Sequence, residues 1–181
     1  ALGVGLGFGL QEIFANFVSG IVLFFERPIR VGDTVTVGTL SGTVSQIRMR
    51  ATTITDWDRK ELIVPNKEFI TGQLINWSLS DTILRLTLPV GIAYGSDTER
   101  ARDELLRVAR EHPDVVADPE PQALFLGFGE SSLDFELRAF SPDVSSFVRI
   151  KHELYMAIDK TFREAGIEIA FPQRDLHVRS G

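Results

Sequence analysis

Cysteine is absent from the 181-residue chain, and histidine occurs only three times. Without cysteine the chain cannot form disulfides, zinc–thiolate sites or a cysteine nucleophile. The histidines, His112, His152 and His177, lie far apart, and none falls in a metal-ligand spacing such as HExxH. The sequence therefore predicts no metal site.

Positive charge is also in short supply, because 19 Lys and Arg face 25 Asp and Glu, for a net charge of −6. Residues 26–80 carry 7 basic and 6 acidic side chains, whereas residues 81–181 carry 12 and 18. Phosphate contacts require clustered lysine and arginine. The acidic body of the chain therefore predicts that nucleic acid is not a partner.

The first 25 residues are almost free of polar side chains. Glu12 is the one charged residue there, and Gln11, Asn16 and Ser19 are the other polar ones. The chain starts inside this apolar run without a methionine, so we expect a longer protein to precede it. A strand of this length without a turn signal is excluded, which favours a helix.

Glycines alternate through the start of this run and suggest how the helix packs. At 100° per residue, Val4 and Phe8 form a narrow ridge opposite three leucines. The flanks of the ridge are glycine pairs: Gly3 with Gly7, and Gly5 with Gly9. Such pairs let helix backbones approach closely in a membrane. The pattern predicts a ring of identical helices with Val4 and Phe8 on its axis; a buried helix or glycine-rich loop of a soluble protein remains the alternative.

The apolar, glycine-rich pattern changes at Glu12. A carboxylate is costly inside hydrocarbon, so this residue predicts a helix break, an interface or a subunit contact. Apolar residues then recur at i, i+4 and i+8, which is typical of a second, amphipathic helix at the membrane surface. Arg27 and Arg30 follow at once. By the positive-inside rule, they place this end of the helix in the cytoplasm.

Three stretches carry a resemblance to a known family: GLQEIFANFVSGIVLFFERPIRVGDTVTVG, SGTVSQIRMRATTITDWDRKELIVPN and INWS. They resemble the small-conductance mechanosensitive channel (MscS) family, especially its larger members, and the resemblance extends over essentially the whole chain. It implies a bacterial inner-membrane homoheptamer whose last transmembrane helix lines the pore. A β-domain and an αβ-domain would form a cytoplasmic cage below it.

The resemblance also implies roles for single residues. Val4 and Phe8 match the two apolar rings of the pore constriction. Gln11 matches the glutamine before a kink in the pore helix, and Asn16 the asparagine after it. The founding member has glycine where this chain has Glu12, so Gly20 is a second candidate for the bend.

The function that the resemblance implies is release of ions and small osmolytes when membrane tension rises. Apolar rings would close the pore by excluding water, without a physical plug. The expected partners are membrane lipids, the permeating ions and osmolytes, and further copies of the chain. No cofactor is expected. The alternative class is a soluble oligomeric binding module with an Sm-like barrel that binds RNA and a buried assembly helix.

Residues 28–80 are rich in short β-branched segments separated by turn residues. We expect an all-β domain there, a small barrel of the Sm-like kind, after a membrane segment of residues 1–27. Asp56 and Asp58 predict a hairpin turn, with a metal site as the alternative. Asn66 is predicted to cap a short helical turn.

Residues 81–181 follow a β-α-β-β-α-β pattern, which predicts a two-layer α+β sandwich. Ser96 and Glu99 are expected to form a capping box, and Gly166 to end the second helix. RDLHV, residues 174–178, is expected to form a last short strand. The pattern contains no nucleophile, acid–base pair or phosphate cradle, and we predict that the chain is not an enzyme.

Overall fold

The structure, a computed structural model, describes residues 2–174, with side chains from residue 7 onward. The chain divides between Thr82 and Ile83 into two compact units. We call them the first and the second unit. Each has a hydrophobic core of its own.

The first unit opens with one continuous helix, α1 (Leu2–Glu26). The sequence-based expectation of a break near Glu12 is therefore not met. The Glu12 carbonyl oxygen lies inside the helix and accepts a hydrogen bond from Asn16 Nδ2 at 2.9 Å. The helix ends where Arg27 takes a positive φ of 52°. Pro28 follows, and proline cannot continue a helix at that point.

A five-stranded antiparallel sheet follows α1 and forms the body of the first unit. Its strands are β1 (Thr34–Val37), β2 (Leu40–Ile47), β3 (Ala51–Thr55), β4 (Glu61–Pro65) and β5 (Leu74–Asn76). The order across the sheet is β4-β3-β2-β1-β5, so neighbouring strands are mostly joined by short turns. A short helix, α2 (Asn66–Thr71), connects β4 to β5.

The turn between β3 and β4 uses the acidic residues that the sequence analysis singled out. Asp56 Oδ1 accepts the backbone N–H groups of Asp58 and Lys60 at 2.9 and 2.8 Å. Lys60 Nζ contacts the carboxylates of both aspartates. Desolvation raises the pKa of Asp56, but the hydrogen bonds from Lys60 and Asp58 outweigh it and lower the pKa. This is a hairpin turn, as predicted, and its carboxylates are engaged by a lysine.

The core of the first unit joins the sheet to α1. Two of its members, Leu23 and Ile29, come from the end of α1 and the loop that follows, and each is 1% exposed. The other members come from the sheet and α2: Val35, Val37, Val44, Ile54, Val64 and Phe69. Removing such side chains from water is the main stabilising contribution to this unit.

The second unit packs two helices against a three-stranded antiparallel sheet. Its elements are β6 (Leu84–Ile92), α3 (Thr98–Glu111), β7 (Gln122–Phe128), β8 (Leu133–Ser141) and α4 (Val144–Ala165). The strand order is β6-β8-β7. Alternate residues of β6 and β8 are buried and share one core with both helices. This arrangement is the α+β layering that the pattern predicts.

The helix ends of the second unit test the capping predictions. Asp97, not Ser96, caps α3, because Asp97 Oδ1 accepts the backbone N–H of Arg100 at 3.0 Å. The prediction was one residue early. Gly166 ends α4 in the left-handed region, with φ of 69°, as predicted.

After α4 the chain returns to the sheet earlier than expected. Ile169 pairs with Ile92 of β6, and the N–H of Ala93 donates to the Glu168 carbonyl oxygen at 2.8 Å. Arg174 is not in a strand. The rest of the predicted last strand, residues 175–178, lies outside the described residues.

The cap of α3 yields a first prediction. Asp97→Ala should lower the free energy of unfolding by about 1 kcal/mol, because the N–H of Arg100 loses its acceptor. Ser96→Ala is the matched control and should leave it nearly unchanged. Urea unfolding of the purified protein, followed by circular dichroism, measures both. A larger loss for Ser96→Ala would contradict the assignment of the cap.

Candidate functional site

Among the described residues, α1 has the most apolar exposed surface. Residues Gly7–Glu26 contain an 18-residue segment with a mean hydropathy of 1.6, and only 11% of that segment is buried. Among the described residues this is the one helix long and apolar enough to cross a membrane. Its exposed large side chains are Phe8, Leu10, Ile13, Phe14, Phe17, Val18, Ile21, Phe24 and Phe25. Water is an unfavourable environment for such a surface, which therefore needs lipid or protein to cover it.

The predicted constriction lies at the start of this helix. Phe8 is 73% exposed. A Cβ built on Gly7 or Gly9 would meet no atom within 4 Å, so the described glycines of both flanks are open in a single chain. Backbone atoms place Gly3, Val4 and Gly5 in α1, but their side-chain positions lie outside the described residues.

Two polar residues of α1, Glu12 and Asn16, contact α2 of the same unit. Lys67 Nζ donates to the two carboxylate oxygens of Glu12 at 2.9 and 3.3 Å. The backbone N–H of Lys67 donates to Asn16 Oδ1 at 2.9 Å. We call Glu12, Asn16 and Lys67 the α1–α2 junction. Because Asn16 accepts an N–H from the first turn of α2, a side chain of one helix serves as the cap of another.

Gly20 lets α1 approach the sheet more closely than any other residue type would. A Cβ at this position would lie 2.2 Å from the Met49 carbonyl oxygen and 2.7 Å from Asn66 Nδ2. Gly20 was the second candidate for a bend, but it lies inside continuous α1 and makes a close contact. Its role here is to leave room for another backbone.

Asn66 is fully buried beside this contact. Contrary to the prediction, it does not cap α2. It is the first residue of the helix, and Pro65 precedes it at the cap position. Asn66 Oδ1 accepts from Thr52 Oγ1 at 2.9 Å, and Nδ2 donates to the Arg48 carbonyl oxygen at 2.8 Å. These bonds tie α2 to β3 and to the start of the loop before it, residues 48–50. The loop that faces Gly20 is therefore held in place.

The remaining predicted residues lie on the surface of α1 and at its end. Gln11 is exposed. Arg27 and Arg30 are exposed just after the apolar stretch, and the backbone N–H of Arg30 donates to Asp33 Oδ2 at 2.9 Å. Cationic side chains at this place can contact the headgroup layer of a membrane.

Sequence reasoning missed Lys67, Met49 and the buried role of Asn66. A lone carboxylate in an apolar run was a signal that Glu12 needs a cationic partner. The partner lies 55 positions away, however, and no local period connects the two residues. Only the fold of the sheet brings α2 beside α1.

The close approach at Gly20 yields a second prediction. Gly20→Ala should push α1 away from Met49 and lower the thermal midpoint of the first unit by several degrees, because neither backbone can yield without breaking hydrogen bonds. Ser19→Ala is the matched control, since it removes one hydroxyl without adding volume. Thermal unfolding in detergent measures both. An unchanged midpoint for Gly20→Ala would mean that the helix is not held this close.

Comparison with known protein families matches both units. Residues 12–79 match the family model described as "Mechanosensitive ion channel, beta-domain". Residues 86–169 match the one described as "Mechanosensitive ion channel MscS, C-terminal". Each match falls entirely within one unit of the structure.

Individual relatives agree with these matches. The chain is 57% identical over 180 residues to the mechanosensitive channel MscK of Escherichia coli strain K12. It is 46% identical over 180 residues to the miniconductance mechanosensitive channel MscM of the same organism. Each alignment covers 99% of this chain but 16% of the relative, so the chain spans about a sixth of the length of these relatives.

Solved structures show the same fold. The closed state of Helicobacter pylori MscS superimposes with a TM-score of 0.92 at 23% sequence identity. The match covers 99% of this chain and 71% of that one. At this identity the likeness concerns the fold alone, an apolar helix followed by a β unit and an α+β unit.

Proposed function

The chain belongs to the MscS family of mechanosensitive ion channels, and we propose that it supplies the pore helix and the cytoplasmic part of such a channel. The family is one of channels and not of enzymes, which agrees with the missing catalytic motifs. One observation carries the proposal: α1 presents a membrane-length apolar surface that its own chain leaves bare. In the soluble, RNA-binding alternative, other copies of the chain would have to bury this whole surface without lipid.

Channels of this family are homo-oligomers, and we take seven copies as the number in the ring. Both glycine flanks of α1 are open in the single chain at Gly7 and Gly9, so identical neighbours can approach on either side. Gly3 and Gly5 extend the flanks by one turn. The leucines on the opposite face would then contact lipid or further helices.

Val4 and Phe8 would form two apolar rings on the axis of this pore. A narrow apolar ring does not stay wetted, so an ion would have to lose its hydration shell to pass. Tension favours the state with the larger area in the membrane plane. Tilting or rotation of the helices would widen the rings, and water and ions would enter.

The domain organisation follows from this arrangement. Residues 1–27 would lie in the bacterial inner membrane and reach its cytoplasmic surface, where Arg27 and Arg30 mark the boundary. Residues 28–80 would form the β-domain, in which the five strands complete an Sm-like barrel. Residues 81–181 would form the αβ-domain, and the two domains together the cytoplasmic cage. The partners would be lipids, permeating ions and osmolytes.

The gate yields a third prediction. Phe8→Ser should wet the constriction, because a ring of hydroxyl groups stabilises water there. Cells that express it should grow poorly without osmotic shock, and patch recordings should show opening at lower tension. Leu10→Ser is the matched control, since Leu10 lies two residues on, about 200° around the helix. A Phe8→Ser channel that stays closed at rest, at normal abundance, would exclude Phe8 as the gate.

The glycine flank yields a fourth prediction. Gly7→Leu should overpack the contact between neighbouring α1 helices and either shift the opening tension or weaken assembly. Leu10→Phe adds volume on the face opposite the Val4–Phe8 ridge, where lipid or further helices would lie, and should do neither. Patch recording and native mass spectrometry in detergent measure the two effects. If Gly7→Leu assembles and gates like the parent, neighbouring helices do not meet at this flank.

A further inference from the structure

We propose that Glu12 and Lys67 are positioning residues for the pore constriction. Their ion pair fixes the rotation of α1 about its own axis, and thereby the direction in which Phe8 points. The inference rests on the proposed function, because it takes Phe8 as the gate residue. It adds a role for the one acidic side chain within the apolar run of α1.

Phe8 is the first of four residues of α1 that recur at a helical spacing. Phe8, Glu12, Asn16 and Gly20 follow one another at intervals of four, so they form one slowly winding stripe on the helix. The last three contact α2 or the loop before β3. Of the three docked residues, Glu12 points closest to the direction of Phe8, about 40° away, whereas Gly20 is about 120° away.

Distance along the helix singles out Glu12 among these contacts. Glu12 is one turn from Phe8, about 6 Å along the axis, whereas Gly20 is about 18 Å from it. A twist of the first turns of α1 is resisted most by the contact nearest to them. Glu12 is also the one contact of the stripe that bears a charge, so it can attract its partner before van der Waals contact is made.

Lys67 holds α1 at two points. Its backbone N–H binds the Asn16 side chain, and its ammonium group binds the Glu12 carboxylate one turn closer to Phe8. Together with the close contact at Gly20, the two bonds of Lys67 resist rotation of α1, and the Glu12 bond resists it nearest to Phe8. The Asn16 bond comes from the backbone of α2, so the rotation is set relative to the sheet.

The pair is partly exposed, with 37% of the Lys67 side chain and 70% of the Glu12 side chain accessible. An exposed pair contributes little by itself. In a ring, however, each copy carries one such pair, and the copies move together when the pore opens. Small contributions of the same sign then add over the whole ring.

The test uses charge variants in the full-length channel. Glu12→Lys and Lys67→Glu each place like charges at the junction, and the double variant restores an opposite pair. We expect each single variant to raise the resting ratio of open to closed channels by roughly fivefold or more, and the double variant to return it most of the way. Glu26→Lys, which changes the other acid of α1, is the matched control and should have no such effect.

A second measurement follows the direction of residue 8 itself. The chain contains no cysteine, so Phe8→Cys introduces a single thiol into it. In a background without other reactive cysteines, the rate at which a water-soluble thiol reagent blocks the current reports how position 8 faces the pore. We expect Glu12→Lys to change this rate severalfold and Lys67→Glu in the same chain to restore it.

The outcomes separate the two proposals. If the reagent never blocks the Phe8→Cys channel, position 8 does not line the pore and the proposed gate fails. If the reagent blocks it, but the single charge variants leave both the rate and the resting open ratio unchanged, the gate stands and the positioning role is overturned. Equal effects of the single and double variants would also overturn it, because the pair itself would then not matter.

Discussion

The close approach of α1 to the loop before β3 is the contact on which the first unit depends. No side chain fits between Gly20 and the Met49 carbonyl oxygen. The loop stays in place because buried Asn66 binds both Thr52 and the Arg48 carbonyl oxygen. Every polar group in this small buried cluster must find its partner, since an unpaired one costs about 1–3 kcal/mol. The helix and the sheet are thus joined by sterics and hydrogen bonds as well as by apolar packing.

Apart from its polar contacts with α2, α1 leaves its large apolar side chains exposed. Its exposed phenylalanines, such as Phe14 and Phe25, would make a monomer in water prone to aggregation. Lipid and neighbouring copies can provide the cover together, because the glycine flanks and the large apolar residues lie on different parts of the helix. In the proposed channel, the same helix would therefore carry both an assembly surface and a membrane surface.

Local patterns predicted the fold well wherever a structural signal lies within a few residues. The strands of the first unit follow β-branched runs, and Gly166 ends α4 because only glycine takes a left-handed φ at little cost. Prediction failed where the deciding partner is distant in sequence. The buried role of Asn66 depends on its hydrogen bonds with Thr52 and Arg48, and the Glu12–Lys67 pair joins residues 55 positions apart. For the candidate site, the ridge and its flanks could be proposed from periodicity. The contacts of Glu12 and Asn16 with Lys67 could not.

Leu23 and Ile29 belong to the core of the sheet although neither comes from a strand. The sheet thus completes its interior only when the end of α1 lies against it. For a nascent chain this ties two steps of biogenesis together: α1 must be delivered to the membrane surface in the orientation that leaves Leu23 available to the emerging sheet. A copy whose α1 does not reach this position would keep a β unit with an unfilled core.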